Sequence, residues 1–327
     1  MKAILQKEAG GAEQLYIGDT ETPSLREDEL LVKVKAAGLN RADILQRQGR
    51  YPPPPGASPI IGLEMAGIIE NIGGNVQKWK KGDHVCALLP GGGYAEYAVI
   101  PDRMAIPIPS NLSFEEAASL PEAFLTAFQA LVWIGQINEG DAVLIHAGAS
   151  GVGTAAIQLV NAFQARAIVT AGSTEKLNFC QQLGAELGIN YKEKSFAPVV
   201  LEATSENGID IIIDFVGAPY WQQNIEVLAV DGRIIILATM GGAIVDKFNF
   251  RDLFKKRGAL IASSLRSRSH DYKINLTQDF IQKCLPLFFS GKLKAVVDKI
   301  FPWDKVAEAH RYMEENRNMG KIVLKVM

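Results

Sequence analysis

Cysteine is scarce in this chain. Of its 327 residues only three are cysteines, Cys86, Cys180 and Cys284. They are far apart, odd in number and outside any C-x-x-C spacing, so they predict neither a disulfide framework nor a four-cysteine metal site. We therefore expect free thiols in a reducing compartment, and the cytoplasm is the predicted location.

The sequence also has no excess of charge of either sign. It contains 34 lysines and arginines against 36 aspartates and glutamates, which gives a net charge of −2. Such a surface has no overall field to attract nucleic acid or acidic lipid. The amino terminus, MKAILQKEAGG, lacks an apolar core of signal-peptide length, and glycine, His146 and Gln158 interrupt the most apolar long run. We expect no export signal and no membrane span.

What the middle of the chain does have is a regular alternation of strand and helix patterns. Apolar runs of strand length begin at Ala142 and recur at 166–171, 187–190, 209–215, 233–238 and 260–264. Helical patterns separate them, at about 151–163, 174–183, 197–204 and 221–228, with a final helix before the last strand. Parallel neighbours need crossover connections, and both sheet faces must be covered. The alternation therefore predicts an α/β fold with a doubly wound parallel sheet.

The turn after the first of these strands is the clearest candidate binding element. It reads Ala147-Gly148-Ala149-Ser150-Gly151-Val152-Gly153. Glycines remove Cβ atoms that would keep a backbone from approaching a phosphate, and the following helix offers unpaired N–H groups. The spacing is not G-x-G-x-x-G, so on the motif alone a tight turn without a ligand is the alternative. Ligands of such sheets bind beyond the carboxyl ends of the strands, where this turn lies.

The length and the patterns outside the middle region predict two domains. Residues 1–121 have strand patterns such as 29–35 and 67–71, many turns and a short polar helix, which predicts a mostly β module. After 265 the chain returns to helices, at about 270–289 and 304–315, and ends in a strand at 321–326 that is expected to complete the first module. We predict one domain from 1–121 and 266–327, and a second from 122–265.

Several segments together resemble the medium-chain dehydrogenase/reductase superfamily, and within it the zinc-free, zeta-crystallin-like NADPH:quinone oxidoreductases. They are LNRAD with Tyr51 after it, GLEMAG, KGDHV, PGGGYAEY, LPEAFLTAF, AGASGVG and GKIVL. The resemblance covers the whole chain. It implies a Rossmann NADPH-binding domain at 122–265, a GroES-like catalytic domain in the remainder, and a homodimer.

The resemblance also bears on metal binding. Zinc members of the superfamily hold a catalytic ion with a cysteine, a histidine and a second cysteine. Asn40 stands where the first cysteine would be, and Leu63 stands where the histidine would be. Lone histidines such as His84, His146, His270 and His310 are more typical of packing or surface positions than of metal ligands. We predict no metal.

The choice of cofactor can be predicted from the end of the second strand of the parallel sheet. An NAD enzyme places an acidic residue there for the ribose hydroxyls, whereas this chain has Ala171-Gly172-Ser173-Thr174. A carboxylate would repel a 2′-phosphate, while Ser173 can donate a hydrogen bond and Lys176 can add a charge. The alternative for Lys176 is a solvated helix face, and Glu175 beside it is unfavourable.

The predicted cofactor is NADPH, and further residues are assigned to its site by the resemblance. The predicted set is Gly148, Ser150, Gly151, Val152, Gly153, Ser173, Lys176, Tyr191, Phe215, Met240 and Arg317. Met240 belongs to a bend, Thr239–Gly242, which is expected to line the site together with the bend Gly91–Gly93. Each of these bends could also be a simple turn.

Asn40, Asp43 and Tyr51 are the candidate catalytic residues, placed at the nicotinamide by the resemblance. Hydride transfer needs an aligned acceptor and a donor for the oxygen that becomes negative, so a tyrosine hydroxyl or an amide suffices. The alternative is that Asn40 and Asp43 cap the local helix and that Tyr51 packs on the rigid run Pro52–Pro55.

The predicted function is reduction of quinones or related conjugated carbonyls, and two alternatives stay open. An enoyl-thioester reductase would need a basic pocket mouth. Lys255, Lys256, Arg257, Arg266 and Arg268 form a local basic cluster in the sequence, although a solvated face is the more usual place for such charges. A non-catalytic NADPH-binding or RNA-binding protein would need aromatics among those cations, and only Phe254 and Tyr272 flank them.

Overall fold

The computed structural model describes residues 1–326, and its chain divides into two compact units. Unit 1 comprises Met1–Leu125 and Arg266–Met327, and unit 2 comprises Thr126–Leu265. The chain thus leaves unit 1 after residue 125 and returns at residue 266, where the sequence analysis places the boundaries after 121 and after 265.

The strands in chain order are β1 (Lys2–Gln6), β2 (Leu15–Asp19), β3 (Glu29–Leu39), β4 (Glu64–Ile72), β5 (His84–Leu88), β6 (Tyr97–Pro101), β7 (Ile106–Pro107), β8 (Ala142–Ile145), β9 (Arg166–Ala171), β10 (Leu187–Asn190), β11 (Ile209–Asp214), β12 (Leu228–Ile236), β13 (Ala259–Ala262), β14 (Val297–Pro302) and β15 (Lys321–Lys325).

The α-helices are α1 (Arg41–Arg47), α2 (Phe114–Ala117), α3 (Pro121–Phe128), α4 (Gly151–Ala162), α5 (Thr174–Gln182), α6 (Phe196–Ala203), α7 (Trp221–Val227), α8 (Phe250–Lys255), α9 (His270–Phe289) and α10 (Val306–Glu314). A π-helical segment, Gln129–Ile134, continues α3.

Unit 2 is built on a parallel sheet with the strand order β10-β9-β8-β11-β12-β13. The order runs outward from β8 in both directions, which is the doubly wound arrangement. The prediction of a doubly wound parallel sheet is confirmed. Isoleucine, leucine and valine side chains of β8 and β11 are fully buried, because helices cover both faces of such a sheet.

Predicted and observed elements of unit 2 agree closely, except that β13 ends at Ala262 and not at residue 264, and that β12 differs at both ends. The strand was expected at 233–238 but begins at Leu228, because Leu228 pairs with Ile209 before the register shifts and Arg233 pairs with Ile211. Asp231, between these two pairings, has a φ of 65°. A short irregularity of this kind leaves no mark on hydrophobic periodicity.

Unit 1 contains a mixed sheet in the order β14-β15-β3-β4-β5-β7, with β6 also paired to β3. The last strand, β15, lies antiparallel to β3 and parallel to β14. The expectation that the carboxyl-terminal strand completes the first module is therefore confirmed. Side chains of β3, β4, β5 and β15 join those of α10 in the core of this unit.

The helical stretch Phe114–Ile134 is long and apolar enough to cross a membrane by length and composition. Of its most apolar 18 residues, 78% is buried inside the protein. Its apolar side chains therefore already have protein partners, as in a core helix.

Candidate functional site

The glycine turn of unit 2 joins β8 to α4 and presents the start of that helix. Ser150 caps α4, and its Oγ accepts a hydrogen bond of 3.0 Å from the N–H of Gly153. The first N–H groups of an α-helix have no partner within the helix. Because Ser150 takes the N–H of Gly153, those of Gly151 and Val152 are the ones that the first turn can offer to an anion.

Gly148 and Gly153 were expected to clear space for a phosphate, but the space beside each of them is filled by the protein itself. A Cβ atom on Gly148 would lie 2.8 Å from Cβ of Val169, and one on Gly153 would lie 2.5 Å from the carbonyl oxygens of Ala147 and Gly148. Both glycines therefore let the turn pack closely on itself and on β9. Ala147 adopts a φ of 51°, which for a residue with a side chain is uncommon and tightens the turn further.

The end of β9 brings together three of the predicted cofactor residues. Ser173 caps α5 and accepts a hydrogen bond of 3.3 Å from the N–H of Lys176. A Cβ atom on Gly172 would lie 2.7 Å from the hydroxyl oxygen of Tyr191 and 3.2 Å from Cε of Lys192. Sequence reasoning missed Lys192, although a lysine next to Tyr191 could have suggested a second cation at this corner.

Phe215 and Met240 follow β11 and β12, which are neighbours in the sheet. The N–H of Met240 donates to the carbonyl oxygen of Phe215 over 3.0 Å. Asp214 fixes the turn beneath them by accepting hydrogen bonds from the N–H groups of Val216 and Gly217, at 2.6 and 3.1 Å. All the predicted cofactor residues except Arg317 thus lie at the carboxyl ends of the strands of unit 2.

Arg317 belongs to unit 1 and follows α10. It forms an ion pair of 3.3 Å with Glu315, and its guanidinium lies 4.8 Å from the ring centroid of Tyr312. Its assignment to the cofactor stays a prediction.

His146 is a packing residue of unit 2. Its ring nitrogens are 2.9 Å from Oγ1 of Thr170 and 2.8 Å from Oδ1 of Asn224, and the amide of Asn224 donates to Asp214. Burial lowers the pKa of His146. In residues 1–326 no group of histidine, cysteine, aspartate and glutamate side chains has the arrangement of a metal site.

In unit 1, Asn40 lies in a buried polar cluster with Glu64 and Lys321. Its amide nitrogen donates to Glu64 Oε1 over 2.9 Å, and its amide oxygen accepts from Lys321 Nζ over 2.5 Å. Lys321 also donates to Glu64 Oε1 at 2.5 Å and to the carbonyl oxygen of Leu39 at 3.1 Å. The position that carries a metal ligand in zinc relatives is therefore bound to an ammonium group here.

Asp43 is fully buried and holds the amino-terminal end of α1. Its carboxylate accepts hydrogen bonds from the N–H of Asn40 at 2.7 Å, the N–H of Gly62 at 3.3 Å and the hydroxyl of Tyr94 at 3.3 Å. Burial is the main cause that raises the pKa of Asp43 to about 7. These contacts are those of the capping alternative, and they anchor the segment before β4 to the helix.

Glu122 is a half-buried residue that sequence reasoning missed. Its backbone N–H donates to Glu64 Oε2 over 2.8 Å. Burial, followed by the charge of Glu64, raises the pKa of the Glu122 carboxyl to about 8. A carboxyl that starts a helix in LPEAFLTAF looks from the sequence like an ordinary first-turn acid, so only the fold reveals its surroundings.

Tyr51 is half-buried and lies under the guanidinium of Arg266. The guanidinium carbon is 5.1 Å from the centroid of the Tyr51 ring, and Nη1 of Arg266 donates to the Tyr51 carbonyl oxygen over 3.3 Å. The tyrosine is thus fixed by an arginine more than 200 residues away in the chain, and packing on the proline run is not its only restraint.

The basic residues at 255–257, 266 and 268 do not form one exposed cluster in the structure. Arg266 is only 7% exposed, and Arg257 forms a two-point ion pair with Asp231, with N–O distances of 2.8 and 2.5 Å. Arg268 lies over the ring of Tyr272 at 4.6 Å. The prediction of one cluster was wrong because linear proximity hid the burial of Arg266 and the pairing of Arg257.

Comparison with known proteins extends these observations to the whole chain. Residues 26–110 match the family model of the alcohol dehydrogenase GroES-like domain, and residues 183–324 match that of a zinc-binding dehydrogenase. The quinone oxidoreductase of Rattus norvegicus is 32% identical over 330 residues, which span 99% of this chain and 97% of that protein.

Solved structures with the same fold include enzymes of several activities. An NAD-dependent alcohol dehydrogenase is 33% identical with a TM-score of 0.88 and 100% of both chains covered. The CurK enoyl reductase is 28% identical, with a TM-score of 0.88 and coverage of 100% and 99%. A mycobacterial protein complexed with NADPH is 28% identical, with a TM-score of 0.86 and 99% of each chain covered. Unit 2 therefore has the NAD(P)-binding fold, and the chain belongs to the zeta-crystallin-like quinone oxidoreductase family of medium-chain dehydrogenases/reductases.

Proposed function

We propose that this protein is an NADPH-dependent oxidoreductase that reduces quinones or related conjugated carbonyls without a metal ion. The observation that carries the proposal is the Asn40–Lys321–Glu64 cluster. In zinc relatives a cation at this place polarises the substrate oxygen. Here the amide and the carboxylate are bonded to an ammonium group, so the acceptor must be reactive enough to take a hydride with hydrogen-bond assistance alone, as a quinone is. The similarity to quinone oxidoreductases over the full length supports the same acceptor.

The residues of unit 2 fit NADPH. The N–H groups of Gly151 and Val152 suit a pyrophosphate. The absence of a Cβ at Gly172 lets the Tyr191 hydroxyl approach the backbone after β9. Ser173 and Lys176 can bind a 2′-phosphate at the end of β9, where the strand ends in Ala171 and not in an acidic residue. When bound, NADPH supplies the hydride. The protein's part is to bind the phosphates and to fix the turns after β8, β9 and β11.

Unit 1 supplies the groups that act on the acceptor. The Tyr51 hydroxyl donates a hydrogen bond either to the acceptor carbonyl, where it stabilises the negative charge that develops on oxygen, or to the nicotinamide ribose, where it orients the cofactor. Asn40 and Asp43 shape this region through the contacts already described, and the Lys321 ammonium adds positive charge next to Asn40. No nucleophile is needed for this chemistry.

Replacement of Tyr51 by Phe tests this role. We expect turnover with a saturating quinone to fall about 10-fold, since one neutral hydrogen bond is worth about 0.5 to 1.5 kcal/mol. NADPH affinity, measured by fluorescence titration, is expected to change much less. Tyr272→Phe is the matched control, because Tyr272 also lies under an arginine of unit 1. Unchanged turnover in Tyr51→Phe would show that the hydroxyl takes no part in the reaction and that Tyr51 serves only in packing.

The CurK enoyl reductase among the structural neighbours favours an enoyl-thioester reductase as the second candidate. That activity requires a basic surface for a phosphorylated carrier arm. The burial of Arg266 and the pairing of Arg257 with Asp231 weaken it. NADPH oxidation against a panel of quinones, enones and enoyl thioesters separates the two. Faster turnover of enoyl thioesters than of quinones would favour the enoyl-thioester reductase over the quinone reductase. No turnover with any acceptor would favour a non-catalytic NADPH-binding or RNA-binding protein.

We further propose a homodimer formed through β13, which is the last strand in the order of its sheet. An edge strand carries unpaired backbone groups that a second copy can pair with. Exposed apolar side chains surround it: Leu260 is 39% exposed, Phe250 77% and Phe254 85%. Their burial in an interface would explain why these three large apolar side chains are exposed in the single chain.

Substitution of Leu260 by Lys is expected to convert the dimer into monomers at micromolar concentration, as measured by sedimentation velocity. Ile300→Lys is the control, because Ile300 is similarly exposed on the edge strand β14 of unit 1. A dimer that resists Leu260→Lys, or that Ile300→Lys dissociates instead, would contradict an interface at β13.

The cytoplasm is the proposed location. Cys86, Cys180 and Cys284 are all buried and free. Thiols in this form are typical of proteins from a reducing compartment.

A further inference from the structure

Arg266 joins three segments of unit 1 that are distant in sequence. Its Nε donates to the carbonyl oxygen of Pro90 at 2.9 Å, and its Nη2 donates to Oε1 of Gln46 at 2.6 Å. Its Nη1 reaches the carbonyl oxygen of Tyr51 at 3.3 Å. The guanidinium therefore ties α1, the start of the proline run and the bend at Pro90 to one point.

The surroundings of Arg266 are unusual for a buried cation. Its hydrogen-bond acceptors are two backbone carbonyls and an amide, whereas buried charges are normally paired with an opposite charge. A second buried cation, Lys273, donates to the carbonyl oxygen of Arg266 over 3.4 Å. Burial lowers the pKa of both groups. The charges of Asp43 and Glu122 favour the charged form of Arg266, but neither carboxyl is among its hydrogen-bond acceptors.

The ring of Tyr51 is a further partner of the guanidinium. The guanidinium carbon lies 5.1 Å from the ring centroid, within the range of a cation–π interaction. A positive charge beside a phenol also makes its hydroxyl a stronger hydrogen-bond donor, because the charge stabilises the partial negative charge left on the oxygen.

We propose that Arg266 is a positioning residue for hydride transfer, which holds Tyr51 through its carbonyl and ring and strengthens the Tyr51 hydroxyl as a donor to the acceptor oxygen. This inference rests on the proposed role of Tyr51. It assigns Arg266 an action only through Tyr51, so the two residues form one functional unit.

A double-mutant cycle tests the proposal. We expect Arg266→Met to lower kcat about 10-fold, as Tyr51→Phe does, with little change in the dissociation constant of NADPH. The double variant is expected to lose about 10-fold as well, not about 100-fold, because residues that act as a unit are not additive. Arg266→Lys keeps the charge and is expected to recover part of the lost turnover.

A control variant separates a specific effect of Arg266 from a general effect of removing an arginine. Arg268→Met removes the other arginine–tyrosine contact of this segment and is expected to leave kcat unchanged. Losses that multiply in the double variant would overturn the role of Arg266 and leave that of Tyr51 intact. Full activity of Tyr51→Phe would overturn both. If Arg266→Met does not fold, as judged by circular dichroism, the same cycle is run with Arg266→Lys, where a smaller loss that vanishes in the Tyr51→Phe background supports the proposal.

Discussion

Replacement of Lys321 by Met is expected to destabilise the protein by about 3 to 5 kcal/mol, the cost of breaking a buried ion pair by removing one partner. The side chains of Lys321 and Glu64 are 5% and 0% exposed, and their charged atoms are 2.5 Å apart. Without the ammonium group, the donors left to the Glu64 carboxylate within residues 1–326 would be the amide of Asn40 and the backbone N–H of Glu122. Urea denaturation at neutral pH measures the loss as a change in the free energy of unfolding.

A matched control lies on the same strand. Lys325 pairs with Glu115 at 2.9 Å, but its side chain is 66% exposed, so Lys325→Met is expected to cost less than about 1 kcal/mol. Replacing both buried partners, with Lys321→Met and Glu64→Leu, is expected to recover much of the stability, since no buried charge is then left unpaired. Equal losses in the free energy of unfolding for the two lysine variants would show that the buried Lys321–Glu64 pair contributes no more than an exposed pair.

Hydrophobic periodicity predicted unit 2 because each of its strands is a short apolar run and each crossover is a helix. Strands β9 and β10 begin and end at the expected residues, and the bounds of α5 and α6 differ from expectation by one residue at most. The same signal placed β15 in the first module, since the parallel sheet was already complete. The local pattern of apolar residues was sufficient to predict an element wherever the element buries its own apolar residues.

The candidate site was less predictable, because its important contacts are long-range. Lys321 and Glu64 are 257 residues apart, and Arg266 and Gln46 are 220 residues apart. Neither pair can be recognised in a linear motif: GKIVL gives an ordinary strand, and Arg266 stands in a run of basic residues that suggests a solvated face. Polar residues at buried positions violate the local pattern, and only the fold shows which partner compensates.

The glycine turn shows a related limit. Sequence reasoning treats each glycine as clearing space for a phosphate, whereas the Cβ positions of Gly148 and Gly153 are blocked by the protein itself. The turn can nevertheless bind an anion, because its free donors come from the helix that Ser150 caps. The anion is thus bound by the start of α4, and Gly148 and Gly153 act by letting the turn pack on β9 and on itself.

Substitution of Lys176 by Ala is expected to raise the Michaelis constant for NADPH about 10-fold and to leave that for NADH nearly unchanged. The two cofactors differ only in the 2′-phosphate, and a charge-assisted hydrogen bond to a half-exposed group is worth about 1.5 kcal/mol. Ser173 caps the helix that carries Lys176, and Tyr191 and Lys192 approach the same corner at Gly172. Steady-state kinetics with both cofactors at a fixed quinone concentration measure the difference.

Lys192→Ala extends the test, because Cε of Lys192 lies near Gly172 and its ammonium can reach the same phosphate. We expect a smaller increase for NADPH and an effect that adds to that of Lys176→Ala. Lys255→Ala is the control, since α8 leads into β13 at the opposite edge of the sheet. If Lys176→Ala weakened both cofactors equally, the ammonium would be acting on a group that NADH shares. The end of β9 would then not be the site that selects the 2′-phosphate.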